Sequence, residues 1–176
     1  MAMVEVDALQ VRRERRGDEA AIARVNDAAF GQPDESHLVD AVRAAGHPAI
    51  SLVAVLDERV VGHILFTPVG IESPGPAIGA MGLGPMAVVP ELQRRGIGSK
   101  LVEAGLRECA RAGCQVVVVV GHPEYYPRFG FREARLYGLR SEYAVPDEAF
   151  MVTELTTGVL GGRGGLVRYL PEFGIA

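Results

Sequence analysis

The chain has 176 residues, of which 48% are apolar and 23% charged, and it carries a formal net charge of −4. That length suits a single domain, 1–176, and a domain of this size buries roughly 70% of the surface its unfolded chain exposes. The acidic balance argues against a nucleic-acid partner, and the longest apolar run, Val116 to Val120, is far short of the about 20 residues that span a membrane.

The start, Met1 to Asp7, has no basic segment followed by an apolar one, so no signal peptide is expected and the protein reads as cytoplasmic. Leu9 to Arg15 (LQVRRER) suggests a first strand, charged enough to be an edge, with Arg12, Arg13, Arg15 and Arg16 forming a small basic cluster. Asp18 is the expected N-cap of a helix in which Ile22, Val25, Ala29 and Phe30 recur at helical spacing, and Gly31 ends it. A second helix is expected from Glu35 to Ala45, stopped by Gly46. Two β runs follow, Ile50 to Leu56 and Val60 to Val69, and the polar break Asp57-Glu58-Arg59 between them reads as a hairpin turn.

A third β run covers Gly79 to Val89. Pro85 lies inside it and cannot donate to a ladder, which implies a bulge or the end of pairing. The next helix puts Ile97, Leu101, Gly105, Cys109 and Ala112 on one face and ends at Gly113. Val116 to Val120 then suits a strand buried on both faces, completing a right-handed βαβ unit over about 83 to 120. A short helix at Glu124 to Phe129, strands at Phe131 to Glu133 and Ala149 to Leu155, and a short terminal strand near Val167 to Tyr169 complete the expectation. Cys109 and Cys114 are too few for a disulfide framework and lack the further ligands of a zinc site, so they read as reduced thiols and no metal is expected.

Chemistry concentrates at Gln93-Arg94-Arg95-Gly96-Ile97-Gly98-Ser99, a basic, glycine-bearing turn between a buried strand and a helix start. Helix starts gather backbone N–H groups and the positive end of the helix dipole, so they accept anions, typically a phosphate group. A Walker A loop needs Gly-Lys-Ser/Thr, whereas the order here is Gly98-Ser99-Lys100. A dinucleotide fingerprint needs a third glycine where Leu101 stands. Neither motif is met.

Gln93-x-x-Gly96-x-Gly98 resembles the Q/R-x-x-G-x-G/A pyrophosphate loop of the GCN5-related N-acetyltransferase (GNAT) superfamily. Leu83 to Pro90 looks like that family's bulged fourth strand, and Tyr125-Tyr126-Pro127-Arg128-Phe129-Gly130-Phe131 resembles its Y-x-x-x-G-F segment. This last segment, with Pro146 to Met151, is more narrowly similar to the bacterial YhbS-type branch. The resemblance implies an α/β (α+β) GNAT fold, with a mixed central sheet of about seven strands splayed at strands 4 and 5 and flanked by about four helices. It also implies acetyl-CoA as cosubstrate and transfer of its acetyl group to a primary amine by direct attack in a ternary complex.

By the same resemblance, the backbone of Met86, Ala87 and Val88 would bind the pantetheine arm. Gln93, Arg94, Arg95, Gly96, Ile97, Gly98 and Ser99 would hold the pyrophosphate, with Gly96 and Gly98 letting the main chain approach it; Arg94 or Arg95 either adds a charge contact or is merely solvated. Tyr126 would protonate the departing thiolate, a task to which a phenol of pKa about 10 is suited; Tyr125 is the neighbour with which it is most easily confused. His122 stands where the family often has asparagine and has either a cofactor-binding or catalytic role, or belongs to a plain turn. No general base stands out: Glu35, His37, His122, Glu154 and a water chain all remain open. His63, inside an alternating strand, reads as structural, and Phe66, Phe129 and Phe131 as core. The acceptor is a small molecule or a protein, and a homodimer is compatible with the reading. Two other readings stay in play, an acyl-CoA-binding regulatory module that transfers nothing and a structural protein on the same fold.

Overall fold

A computed structural model describes residues 8–174; the reading of Met1 to Asp7 lies outside the described residues. The chain groups into two compact units, one of residues up to Leu65 with Pro85–Gly105, the other of Phe66–Gly84 with Leu106 onward.

In the first unit, β1 (Gln10–Arg13) pairs antiparallel with β2 (Ile50–Leu56), from Gln10↔Val55 to Arg13↔Leu52. β1 is shorter than Leu9 to Arg15 because the Arg15 N–H goes to the Asp18 carboxylate at 2.7 Å. Asp18 stands at the N-cap position of α1 (Glu19–Phe30), as expected, and its carbonyl accepts the Ile22 N–H at 2.9 Å, but its side chain makes no capping bond. Its carboxylate is taken by Arg15 N–H and by both Arg12 guanidinium nitrogens, at 2.7 and 3.2 Å. The bond from Arg12 holds the Asp18 carboxyl below its usual value. Gly31 stops α1 as expected, in the left-handed conformation at φ +70° with its N–H on the Asp27 carbonyl. Then come α2 (Asp34–Ala44) and β3 (Arg59–Glu72), the latter starting in this unit.

The turn between β2 and β3 uses only Asp57 and Glu58, at φ +49° and +62°. These are the positive values that a two-residue hairpin turn matching the strand twist demands. Ile22, Val39, Val53 and Leu65 form the core between helices and strands. α3 (Ile97–Arg111) begins against Gly62, where a Cβ would come within 3.0 Å of the Leu101 Cδ1 and 3.3 Å of the Ile97 Cγ2. The absent side chain on β3 thus seats the first turn of α3.

In the second unit, the first half of β4 (Ala80–Val88) runs parallel to β5 (Val116–Val120), from Ala80↔Val116 to Leu83↔Val119. That ladder ends at Leu83; Gly84 follows at φ +140°, and Pro85 carries no N–H. The proline read from the sequence as the end of pairing therefore sits one residue past a glycine that turns the strand. β5 pairs antiparallel on its other side with β8 (Phe150–Glu154), and β8 with β6 (Arg132–Glu133). β9 (Gly165–Arg168) joins the end of β3 antiparallel and β7 (Leu139–Ser141) parallel. Val116, Val118, Phe150 and Val152 lie in its core.

Among the described residues there are nine strands and three α-helices, against about seven and about four expected. The helix expected at Glu124 to Phe129 is a single 3-10 turn, Tyr126–Phe129, with proline in its first positions. In a helix begun at Glu124, Pro127 would lack the N–H owed to the Pro123 carbonyl, whereas in the first turn of an element begun at Tyr126 it is tolerated. Among the described residues, no helix is long and apolar enough to cross a membrane.

Candidate active site

Residues singled out by sequence fall on two segments, one in each unit. The first is the end of β4 and the loop into α3. Ala87 is buried, and Met86 and Val88 are half-buried. Pro90–Leu92 forms a 3-10 turn pinned by the buried Leu92. Gln93 then swings its side chain back, and its Nε2 donates to the Val88 carbonyl at 2.9 Å. Gln93 thus braces the loop against the strand.

Two residues of this loop have positive φ, Arg94 at +62° and Gly96 at +84°. A Cβ on Gly96 would meet nothing within 4 Å, so glycine is required there by conformation rather than by crowding. Arg94 takes a similar conformation without being glycine, which costs on the order of 1 kcal/mol. α3 opens with Ile97, and the Lys100 N–H bonds the Gly96 carbonyl at 3.1 Å. The amides of Ile97 and Gly98, one turn earlier, stand at the positive end of the helix dipole. Arg94 and Arg95 are exposed, Gly98 and Ser99 half-buried.

The second segment follows β5. Gly121 donates its N–H to the Ala149 carbonyl at 2.9 Å. The His122 carbonyl accepts the N–H groups of Tyr125 and Tyr126 at 3.1 and 3.4 Å, while its ring is exposed. His122 thus shapes the turn with its main chain. Tyr126 is only 7% exposed. Its ring packs edge-on against Tyr125 and Phe131, with centroids at 5.1 and 5.7 Å, and is tilted against Phe129 at 6.5 Å. Tyr125 is half-buried, holds the Arg128 guanidinium 4.5 Å above its ring and gives its carbonyl to Arg128 Nε.

A Cβ on Gly121 would lie 2.3 Å from Tyr126 Cε2 and 2.9 Å from its Cδ2. The tyrosine ring therefore lies directly on a glycine. The sequence assigns Gly121 no role of its own; the one signal it offers is a glycine immediately after a buried strand and five residues before the tyrosine.

Burial, and secondarily Tyr125, pushes the Tyr126 phenol up to about 12, away from the thiol-like value expected of it. A phenol in that range stays protonated across the physiological range. It matches a thiolate only if burial raises the sulfur's proton affinity as well.

Two of the general-base candidates are already engaged: Glu35 accepts Gln32 Nε2 at 3.2 Å, and Glu154 accepts the Leu160 N–H at 3.0 Å. His37 is exposed. His63 is fully buried between Asn26 Nδ2 at 3.1 Å and Ser51 Oγ at 3.0 Å, and burial lowers its pKa to about 3. It is a structural histidine, as expected.

The family profile of the acetyltransferase (GNAT) domain matches residues 10–134. The chain belongs to the GNAT family. The uncharacterized N-acetyltransferase YjhQ of Escherichia coli K12 is 36% identical over 147 residues, covering 80% of this chain and 81% of that protein. YhbS of the same strain, also an uncharacterized N-acetyltransferase, is 34% identical over 145 residues, covering 82% and 86%. A crystal structure of E. coli YhbS in complex with CoA superposes with a TM-score of 0.88 at 32% identity, over 95% of this chain and 92% of that one. A GNAT acetyltransferase from Brucella melitensis, in complex with acetyl-CoA, gives 0.78 at 36% identity, over 94% and 97%. The GNAT fold and the narrower YhbS-like branch, both read from the motifs, stand.

Proposed function

We propose that the chain works as one cytoplasmic acetyltransferase domain that moves the acetyl group of acetyl-CoA onto a primary amine of a small molecule or protein, by direct attack in a ternary complex. Membership in the GNAT family supports this, as do the CoA and acetyl-CoA complexes of its relatives. The observation that carries the enzymatic reading is Tyr126, a phenol buried in an aromatic setting on Gly121 and held protonated well above neutral pH.

In this reading acetyl-CoA supplies the activated acyl group, and the protein supplies binding and one proton. The loop fits a diphosphate, with Gly96 at φ +84° leading into the dipole-positive first turn of α3. Main-chain N–H groups of Arg94 to Ser99 take the pyrophosphate, and the backbone of Met86 and Ala87 takes the pantetheine arm. The backbone of Val88 takes part as well, since its carbonyl accepts Gln93 Nε2 with one lone pair and keeps the other for the arm. Gln93 acts by positioning the loop. The amine nitrogen bonds the acetyl carbon as the carbon–sulfur bond breaks, Tyr126 delivers its phenolic proton to the leaving sulfur, and the proton shed by the nitrogen returns through water to restore the phenol.

The test is Tyr126→Phe. Removing a positioned general acid should lower kcat roughly 100-fold or more, while the Kd for acetyl-CoA, read by calorimetry, stays within about twofold. A variant with unchanged turnover would remove Tyr126 from the chemistry.

A further inference from the structure

The basic cluster at Arg12 to Arg16 plays no part in the reading above, yet it borders a cleft of about 430 Å³ in the first unit. The cleft is walled by Arg13, Glu14, Arg15 and Arg16 after β1 and by Arg43 of α2, and floored by Val39, Val42, Ala49 and Leu65. It shares no residue with the segments assigned to acetyl-CoA. Its charges are already partly matched: Arg43 bonds Glu14 through two nitrogens at 2.5 and 3.0 Å and Asp40 at 2.7 Å. Arg12, next in sequence, is spent on Asp18. Glu19, also at the cleft, accepts the Gly17 N–H. Among the described residues, Arg15 and Arg16 place their exposed guanidinium groups in no ion pair, which leaves a surplus of positive charge on the wall.

Ser51 also lines the cleft, and a buried relay fixes what it offers. Asn26 Nδ2 donates one hydrogen to the Ile22 carbonyl at 3.0 Å and the other to His63 Nδ1 at 3.1 Å. Turning the amide over would set its oxygen against the Ile22 carbonyl, acceptor against acceptor. Neutral His63 therefore carries its proton on Nε2 and donates it to Ser51 Oγ at 3.0 Å. The base nitrogen faces Asn26, so Ser51 is not activated as a nucleophile. Its own proton is left to be given away.

We infer that this cleft is a binding site for a small amphipathic anion, with a carboxylate or phosphoryl head on Arg15, Arg16 and the Ser51 hydroxyl and an apolar body on Val39, Val42 and Leu65. Hydrogen bonds from charged donors to such a head are the stronger kind, and an apolar floor with few convergent polar groups is what ligand clefts present. The inference does not depend on acetyl transfer.

Amide chemical shifts of the full chain, followed on titration with hexanoate, inorganic phosphate, hexanol and hexylamine, test it. Saturable shifts at Val42, Ala49 and Ser51 are expected with hexanoate or phosphate; the one that saturates identifies a carboxylate or a phosphoryl head. The double variant Arg15→Gln/Arg16→Gln, confined to exposed side chains, should weaken that binding roughly tenfold or more, and Ser51→Ala should weaken it by a smaller factor. If neither anion saturates, if hexanol or hexylamine binds as well, or if the double variant binds unchanged, there is no anion site.

Discussion

The loop into α3 and the turn after β5 bear the two halves of the proposed chemistry, and they are built on opposite principles. The loop works through main chain. Gly96 has a φ of +84° with open space where a Cβ would go, and the side chains of Arg94 and Arg95 are exposed. The turn works through one side chain. What matters there is room, because Gly121 leaves 2.3 Å between an added Cβ and the Tyr126 ring. The first region should therefore be sensitive to conformation and tolerant of side-chain change, the second the reverse.

Gly121→Ala should have the largest effect of the variants in these two regions. An overpacked methyl in a well-filled site costs about 1–3 kcal/mol, sometimes more, and here it strikes the Tyr126 ring. Urea unfolding should show that loss, and residual turnover should fall with it. A stable, fully active Gly121→Ala protein would mean that the ring is free to move.

The loop variants have smaller effects and separate backbone conformation from side chain. Gly96→Ala should destabilise by about 1 kcal/mol, because alanine disfavours positive φ, and should also weaken acetyl-CoA binding. Arg94→Gly relaxes its φ of +62°. It should cost no stability, and acetyl-CoA binding should change by less than about threefold, since an exposed charge contact is worth only about 0–1 kcal/mol. If Arg94→Gly binds far more weakly while Gly96→Ala binds normally, the loop recognises its ligand by side chain after all.

Away from both regions, His63 predicts an acid limb of stability. Its pKa falls from 6.5 in the unfolded chain to about 3 in the folded one. Between those values the unfolded state binds more protons, so stability is present above about pH 6.5 and lost as pH falls toward 3. His63→Gln should flatten the dependence of the melting temperature on pH in that window, whatever it does to stability at pH 7.

The sequence was legible where one residue settles a local question by itself. The bounds of β2 were read as they occur, Gly31 stops α1, and Pro85 marks where β4 leaves β5. It was illegible where the deciding partner is distant or the competition is close. β7 is three residues long and owes its place to β9, with Gly138 and Gly164 so close that a Cβ on Gly138 would lie 3.1 Å from the Gly164 Cα. No periodicity announces such a strand. Asp18 is the N-cap residue its type announced, but Arg12 and the Arg15 N–H take the carboxylate that would have bonded the first turn of α1. Gly121 could be understood only once the Tyr126 ring had a position. In the candidate site, the loop was readable as motif, whereas the role of Gln93 as a brace and the shifted acidity of Tyr126 depend on neighbours that only folding supplies.

The most direct test of the account is to supply acetyl-CoA with a panel of primary amines, follow release of the CoA thiol, and identify the acetylated amine by mass. The account predicts amine-dependent thiol release with a matching acetamide. Acetyl-CoA that raises the melting temperature but gives up no thiol to any amine would contradict it and leave a CoA-binding module without transfer.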